Sequence, residues 1–222
     1  MRILFYESMD FDMEMWKYAT IMKIQSNNPR IGHEHRPNCR AWLMGVEVKT
    51  NSFGLRNNET TLEKPPNTYR IVVLGDSITM GWGVPQDQTY PTQLERMFNT
   101  QAPEGFPLHM HYEILNLGIG NYNTAQEVTR LRHIGLQFDP DLILLAFFIN
   151  DAEPVPQQKS GFLIEHSYLY TFVLSRLKRV SFGNTKPLTF KDYYRGLYTE
   201  NQQGWQATKA ALVELVDIGY EQ

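Results

Sequence analysis

Tyr69-Arg70-Ile71-Val72-Val73-Leu74-Gly75-Asp76-Ser77-Ile78-Thr79 carries the reading of the fold. Ile71 to Leu74 is a short, wholly apolar run closed by a glycine, the pattern of a strand buried on both faces. A serine follows at once, in a tight turn. Downstream, Thr89 to Asn99 reads as a helix, with Leu94 and Phe98 four apart. Tyr112 to Leu117 reads as a second strand. A helix is expected from about Asn123, where Thr124 and Glu127 have capping-box spacing and Val128, Leu131 and Ile134 share a face. Leu142 to Phe148 is the third strand and the most hydrophobic segment of the chain. Beyond it come a loop with Pro154 and Pro156, a helix near Leu169 to Val180 and another near Trp205 to Val216. Strands alternating with helices imply right-handed crossovers and a parallel sheet, so the fold class is α/β.

Upstream the composition changes. Residues 1–66 form an extension, broken by Asn27-Asn28-Pro29, Arg36-Pro37-Asn38 and Asn57-Asn58. Met13 to Lys23 has helical spacing at Trp16, Ala19 and Met22, whereas residues 40–56 read as a hairpin or extended arm. Glu63-Lys64-Pro65-Pro66-Asn67 is a linker into the main domain, residues 67–222. Three strands are few for such a sheet, and no strand follows the last helix. The expectation is therefore that the C-terminal part of the domain lies beyond Gln222, and that an apolar sheet edge is exposed.

Several function classes are excluded by bulk properties. A net charge of −3 gives no electrostatic footprint for nucleic acid. The longest apolar run, Leu142 to Ile149, is far short of the roughly 20 residues of a membrane span. Arg2 is followed at once by Glu7, Asp10, Asp12 and Glu14, which is not a secretory signal, so the chain as written reads as soluble and untargeted. Cys39 is the single cysteine and cannot form an internal disulfide. The His33-Glu34-His35 pair lacks a nearby third ligand, so no metal site is expected. The basic cluster Arg176, Lys178 and Arg179 reads as a solvated helix face.

In an open parallel sheet, ligands bind beyond the carboxyl ends of the strands, beside the switch in strand order. Three segments occupy those ends: Gly75-Asp76-Ser77-Ile78-Thr79, Gly118-Ile119-Gly120-Asn121-Tyr122-Asn123 and Asn150-Asp151. A serine in a glycine turn is exposed for attack, and backbone N–H groups around it face an incoming carbonyl oxygen. The amide of Asn150 adds a further donor. Together they suit nucleophilic acyl transfer through an oxyanion hole.

The same segments resemble the signature blocks of the SGNH (GDSL-type) hydrolases. Gly75 to Thr79 is similar to the first block, Asn116-Leu117-Gly118-Ile119-Gly120-Asn121-Tyr122-Asn123-Thr124 to the second, and Asn150-Asp151 to the third. The resemblance implies a three-layer α/β/α, flavodoxin-like fold and an ester-cleaving enzyme with no organic cofactor or metal. It implies Ser77 as nucleophile, with oxyanion donors from the Ser77 N–H, the Asn121 N–H and the Asn150 side chain, supported by Gly75, Asp76 and Gly120. Asn121 stands where the family has glycine, and asparagine tolerates left-handed geometry better than most residues. Phe148 and Ile149 stand where the third block carries its glycine.

The fourth block, Asp-x-x-His, does not occur in the chain, so a catalytic base is not found. His109, His111 and His133 precede strands, at the wrong end of the sheet. His33 and His35 reach the cleft only if the arm folds back, and His166 is the least remote substitute. Asn51-Ser52-Phe53-Gly54-Leu55-Arg56 resembles an element of some bacterial members, a few of which act on cell-surface sugars. The expected substrate is a small-molecule or carbohydrate ester. A carbohydrate O-acyltransferase and a glycan- or ester-binding module are the alternatives, the latter if the chain truly ends at Gln222.

Overall fold

In the computed structural model, residues 13–154, 162–181 and 189–221 are described. Helix α1 (Met13–Lys17) continues as a π turn (Tyr18–Met22) into β1 (Lys23–Gln25), which pairs antiparallel with β2 (His33–His35). A second hairpin joins β3 (Arg40–Leu43) to β4 (Val46–Lys49). Its two-residue turn, Met44-Gly45, has positive φ at both positions, the geometry that matches strand twist.

The parallel-sheet elements follow: β5 (Thr68–Leu74), α2 (Ser77–Met80), α3 (Tyr90–Thr100), β6 (His111–Asn116), α4 (Thr124–His133) and β7 (Leu142–Leu145). After these come α5 (Phe162–His166), α6 (Tyr168–Ser181), α7 (Phe190–Leu197) and α8 (Gln203–Glu221). The three long-range strands form a parallel sheet in the order β6-β5-β7. Side-chain alternation along β5 sorts the core into two faces. Ile71 and Val73, with Tyr112 and Ile114, pack under Tyr90, Leu94 and Phe98 of α3. Val72 and Leu74, with Leu115 and Leu117, meet Val128 and Leu131 of α4 and Ala211 and Ile218 of α8. Helices on both faces make the α/β/α layering, and explain why β5 is apolar without alternation. Each fully buried Val or Leu contributes about 1.5–3 kcal/mol.

Two local expectations are corrected. The third strand ends at Leu145, because β5 offers no partner past Leu74. Ala146 makes one more hydrogen bond, to the Leu74 carbonyl. The chain then turns, with the Asp151 carboxylate accepting from the Phe148 N–H at 2.6 Å. The capping box of α4 uses Asn123 and Gln126, not Thr124 and Glu127, because Asn123 is the residue with extended backbone, φ −114° and ψ 168°, and the helix already begins at Thr124. Helices α5 and α7, which the sequence reading does not anticipate, are short, five and eight residues long. The side chains of Arg176, Lys178 and Arg179 lie outside the described residues, as does the N-terminal stretch read for targeting.

The linker is held down: Lys64 pairs with Asp139 and Asp141 at 3.1 and 2.8 Å. No helix among the described residues is long and apolar enough to cross a membrane. Nothing among the described residues pairs with the outer edge of β7, where Leu144, Phe147 and Phe148 are exposed. Val213, Val216 and Tyr220 form an exposed apolar strip on α8. Such an edge templates association. The chain should self-associate in sedimentation velocity, and Leu144→Lys with Val216→Lys should shift it toward monomer without changing far-UV circular dichroism.

Candidate active site

Gly75 leads into the nucleophile turn, and a Cβ there would collide with the Thr79 side chain. Asp76 caps α2, its carboxylate accepting from the Ile78 N–H at 2.8 Å. Ser77 is thereby fixed as the first residue of a single helical turn, half-buried, and Gly81 closes that turn at φ 87°. The carbonyls at the far end of this turn are taken up by the arm. The buried Arg56 guanidinium donates to Met80 O at 2.8 Å, Gly81 O at 2.5 Å and Val84 O at 2.6 Å. Asn51 shapes the loop that presents Arg56, its side-chain oxygen accepting from the N–H groups of Phe53 and Leu55. Asn57 spans the next gap, to Ile114 O and Asn116 N. Sequence reasoning missed Arg56 and Asn57 as site-building residues. The Asn51–Arg56 motif was the available signal, but a lone arginine in a polar loop has no periodicity that declares it buried.

The second loop is joined to the first. Asn116 donates to Thr79 O at 2.7 Å, Ile119 N–H reaches Gly75 O at 3.2 Å, and a Cβ at Gly118 would strike Thr79 and the Met80 backbone. Asn121 takes φ 70°, the left-handed conformation. The arm does fold back, directly onto this loop. Tyr18 Oη accepts from the Gly120 N–H at 2.8 Å and bonds His35 Nε2 at 2.7 Å. Gly120 O faces Lys23 Nζ at 2.9 Å and His33 Nε2 at 3.1 Å, while Lys23 also donates to Asn121 Oδ1 at 2.9 Å. Tyr122 is core, its hydroxyl donating to His33 O. Trp82 packs edge-on against Tyr18. Arg130 of α4 pairs with Glu34 at 3.1 Å. Burial lowers Lys23 to about 7 and His33 to about 3, and holds His35 well below the ordinary histidine value.

The third loop is stitched to its neighbours as well. Asn123 donates to Glu153 O at 2.7 Å, Thr208 to Asp151 O at 2.8 Å, and Tyr198 to Ile149 O at 2.8 Å. The buried side-chain oxygen of Asn150 has no hydrogen-bond partner among the described residues. Beneath the loops lie the buried carboxyls of Asp76, Glu127 and Asp151. Burial pushes Asp151 up to about 7, and the neighbouring Asp76 charge adds to this. Burial, with the Asp151 and Asp76 charges, holds Glu127 well above the ordinary carboxylate range. Neither Glu127 oxygen has a hydrogen-bond partner among the described residues.

Topology brings Ser77, Asn121 and Asn150 to one end of the sheet, with Ser77 on the middle strand's tip. The histidines are placed otherwise. His111 opens β6 opposite Thr68 at the other end, and His133 closes α4. His166 Nδ1 donates to Phe162 O, 2.9 Å away, and its ring stacks on the Phe162 ring. It lines a cavity of about 620 Å³ with Trp16, Lys23, Arg36 and Glu165. No histidine among the described residues hydrogen-bonds Ser77, and none of them forms a cluster able to hold a metal.

The profile of the GDSL-like Lipase/Acylhydrolase family matches residues 73–216, from the end of β5 into α8. The chain belongs to that family. As a GDSL-like acylhydrolase it is a hydrolase acting on esters, and its arm lies outside the matched region. It is similar to the crystal structure of TesA, at 17% identity over 65% of this chain and 73% of that one, with a TM-score of 0.35. It is also similar to AlinE4, an SGNH-hydrolase family esterase, and to a mutant form of that esterase. Both are 20% identical, over 69% of this chain and 75% of theirs, with TM-scores of 0.35. No curated protein sequence matches the chain.

Two measurements test how this GDSL-like site is supported. Arg56→Met strands three carbonyls and should cost about 3 kcal/mol in urea unfolding. Glu127 and Asp151 hold protons in the folded state that the unfolded chain releases near pH 4, so their contribution is lost as pH rises through about 7. Glu127→Gln should therefore flatten the pH dependence of stability and be more stable than the parent at about pH 8.

Proposed function

We propose that Ser77 is the nucleophile of an ester hydrolase that works through an acyl-enzyme. Ser77 Oγ attacks the acyl carbon, the C–O bond to the alcohol breaks, and water later releases the acid. The developing oxyanion is held by the N–H groups of Ser77 and Asn121 and by the Asn150 amide. The observation that carries this reading is the convergence of three parallel strand tips at the switch in strand order. It is further supported by the Asn150 side chain, whose buried oxygen has no hydrogen-bond partner among the described residues. A general base at Oγ completes the chemistry, because an unassisted serine hydroxyl is a poor nucleophile.

The substrates put forward are small acyl esters, with O-acyl groups on carbohydrate as the specific class. That class rests on the Asn51–Arg56 element, which resembles one found in bacterial members, a few of which act on cell-surface sugars. We further propose that residues 67–222 carry the chemistry and that the extension, residues 1–66, supports it.

Ser77→Ala should abolish both turnover of a p-nitrophenyl ester and labelling by a serine-directed fluorophosphonate. Asn150→Ala should lower kcat about 10²- to 10³-fold with the label still accepted. Undiminished hydrolysis by Ser77→Ala would overturn the assignment.

A further inference from the structure

The Gly120–Asn121 peptide unit is held at several points by residues of the arm. Its carbonyl oxygen receives two donors, Lys23 Nζ at 2.9 Å and His33 Nε2 at 3.1 Å. Lys23 holds the far side of the same unit through Asn121 Oδ1 at 2.9 Å. The peptide immediately before it is fixed by the Gly120 N–H on Tyr18 Oη, and Tyr18 is fixed in turn by His35. Tyr18, His33 and His35 are buried, so their positions are set by packing rather than by solvent. All four residues precede the region that the family profile matches.

A peptide unit is planar, so its C=O and N–H point in opposite directions along one rigid plate. Two donors on the oxygen of Gly120 therefore fix where the N–H of Asn121 points. Hydrogen bonds to a carbonyl also polarise the whole amide and strengthen the N–H at its other end as a donor. That N–H is the one assigned above to the oxyanion. We propose that Lys23, assisted by His33, is a positioning residue for the reaction: it aims and polarises the Asn121 N–H without touching the substrate's reacting atoms. The inference rests on the Ser77 and Asn121 reading of the preceding subsection.

Because the oxyanion forms after binding, loss of Lys23 should appear in kcat and leave KM nearly unchanged. For Lys23→Met, kcat on a p-nitrophenyl ester should fall about tenfold, less than for outright removal of an oxyanion donor, with KM within about twofold. Lys23→Arg, which can still donate to both oxygens, should restore most of the rate. The Asn121 amide proton resonance should move upfield in Lys23→Met and return in Lys23→Arg. Lys23→Gln, which keeps a donor on a shorter side chain, serves if Lys23→Met loosens the arm, and should fall between parent and Met. Folded Met or Gln variants with parental kcat and an unmoved Asn121 resonance would overturn the proposal. So would a loss in kcat that Lys23→Arg leaves unrepaired. Ser77→Ala in the same assay separates the two claims. If it remains active, the nucleophile assignment itself has failed. If it is inactive while Lys23→Met is unimpaired, the failure belongs to Lys23 alone.

Discussion

Strand β5 is hydrogen-bonded on both edges, to β6 through Thr68–Val73 and to β7 through Ile71–Leu74. The crossover from β5 to β6 carries α3, and the crossover from β6 back past β5 to β7 carries α4. The helices they carry cover opposite faces of the sheet, so a crevice opens where the chain leaves β5. Gly75, Asp76 and Ser77 stand at that point. The site is thus a consequence of strand order before it is a consequence of any particular side chain.

Strand order leaves three loops to be held, and polar groups do most of the holding. Arg56 occupies the carbonyls behind Ser77, Asn116 and Asn123 tie the second loop to the first and third, and Thr208 ties the third to α8. Such bonds contribute little net free energy each, but leaving any one unmade in a buried place is strongly destabilising. That asymmetry makes the loops specific in position. It also explains the opposing electrostatics on the two sides of the site. Burial favours the neutral forms of His33 and Lys23 on the arm, and equally favours the protonated forms of Glu127 and Asp151 beneath the loops.

What can be read in the sequence follows from the range of the interactions involved. The strand β5, the glycine turn and the three tips are local patterns, and they are legible because hydrophobic runs and turn residues act over a few neighbours. The fold class follows from them, and so does the family. The cap of α4 is misplaced by one residue, because Asn123 and Thr124 both carry capping chemistry and only the backbone conformation, extended at Asn123, decides between them. The third strand is read too long because Phe147, Phe148 and Ile149 continue the apolar run; the length of β5 sets its end. The arm is the least legible part. Its contacts with Gly120 and Met80 join residues far apart in the chain, as Tyr18 to Gly120 and Arg56 to Met80 show, and periodicity carries no information at that range.

Asn121 and Lys23 make sense only as a pair. The family pattern has glycine at position 121, and glycine adopts positive φ without steric penalty. Asparagine loses roughly 1 kcal/mol or less at φ 70°, being the side chain that best tolerates it. What it adds is an oxygen, and that oxygen accepts from Lys23. With glycine there, Lys23 would hold the loop through Gly120 O alone and could swing about that single contact. With asparagine, two acceptors on adjacent residues fix both the amine and the peptide plane between them. The departure from the family's glycine is therefore coupled to the arm that lies outside the family's matched region, and the two are best read as one structural device.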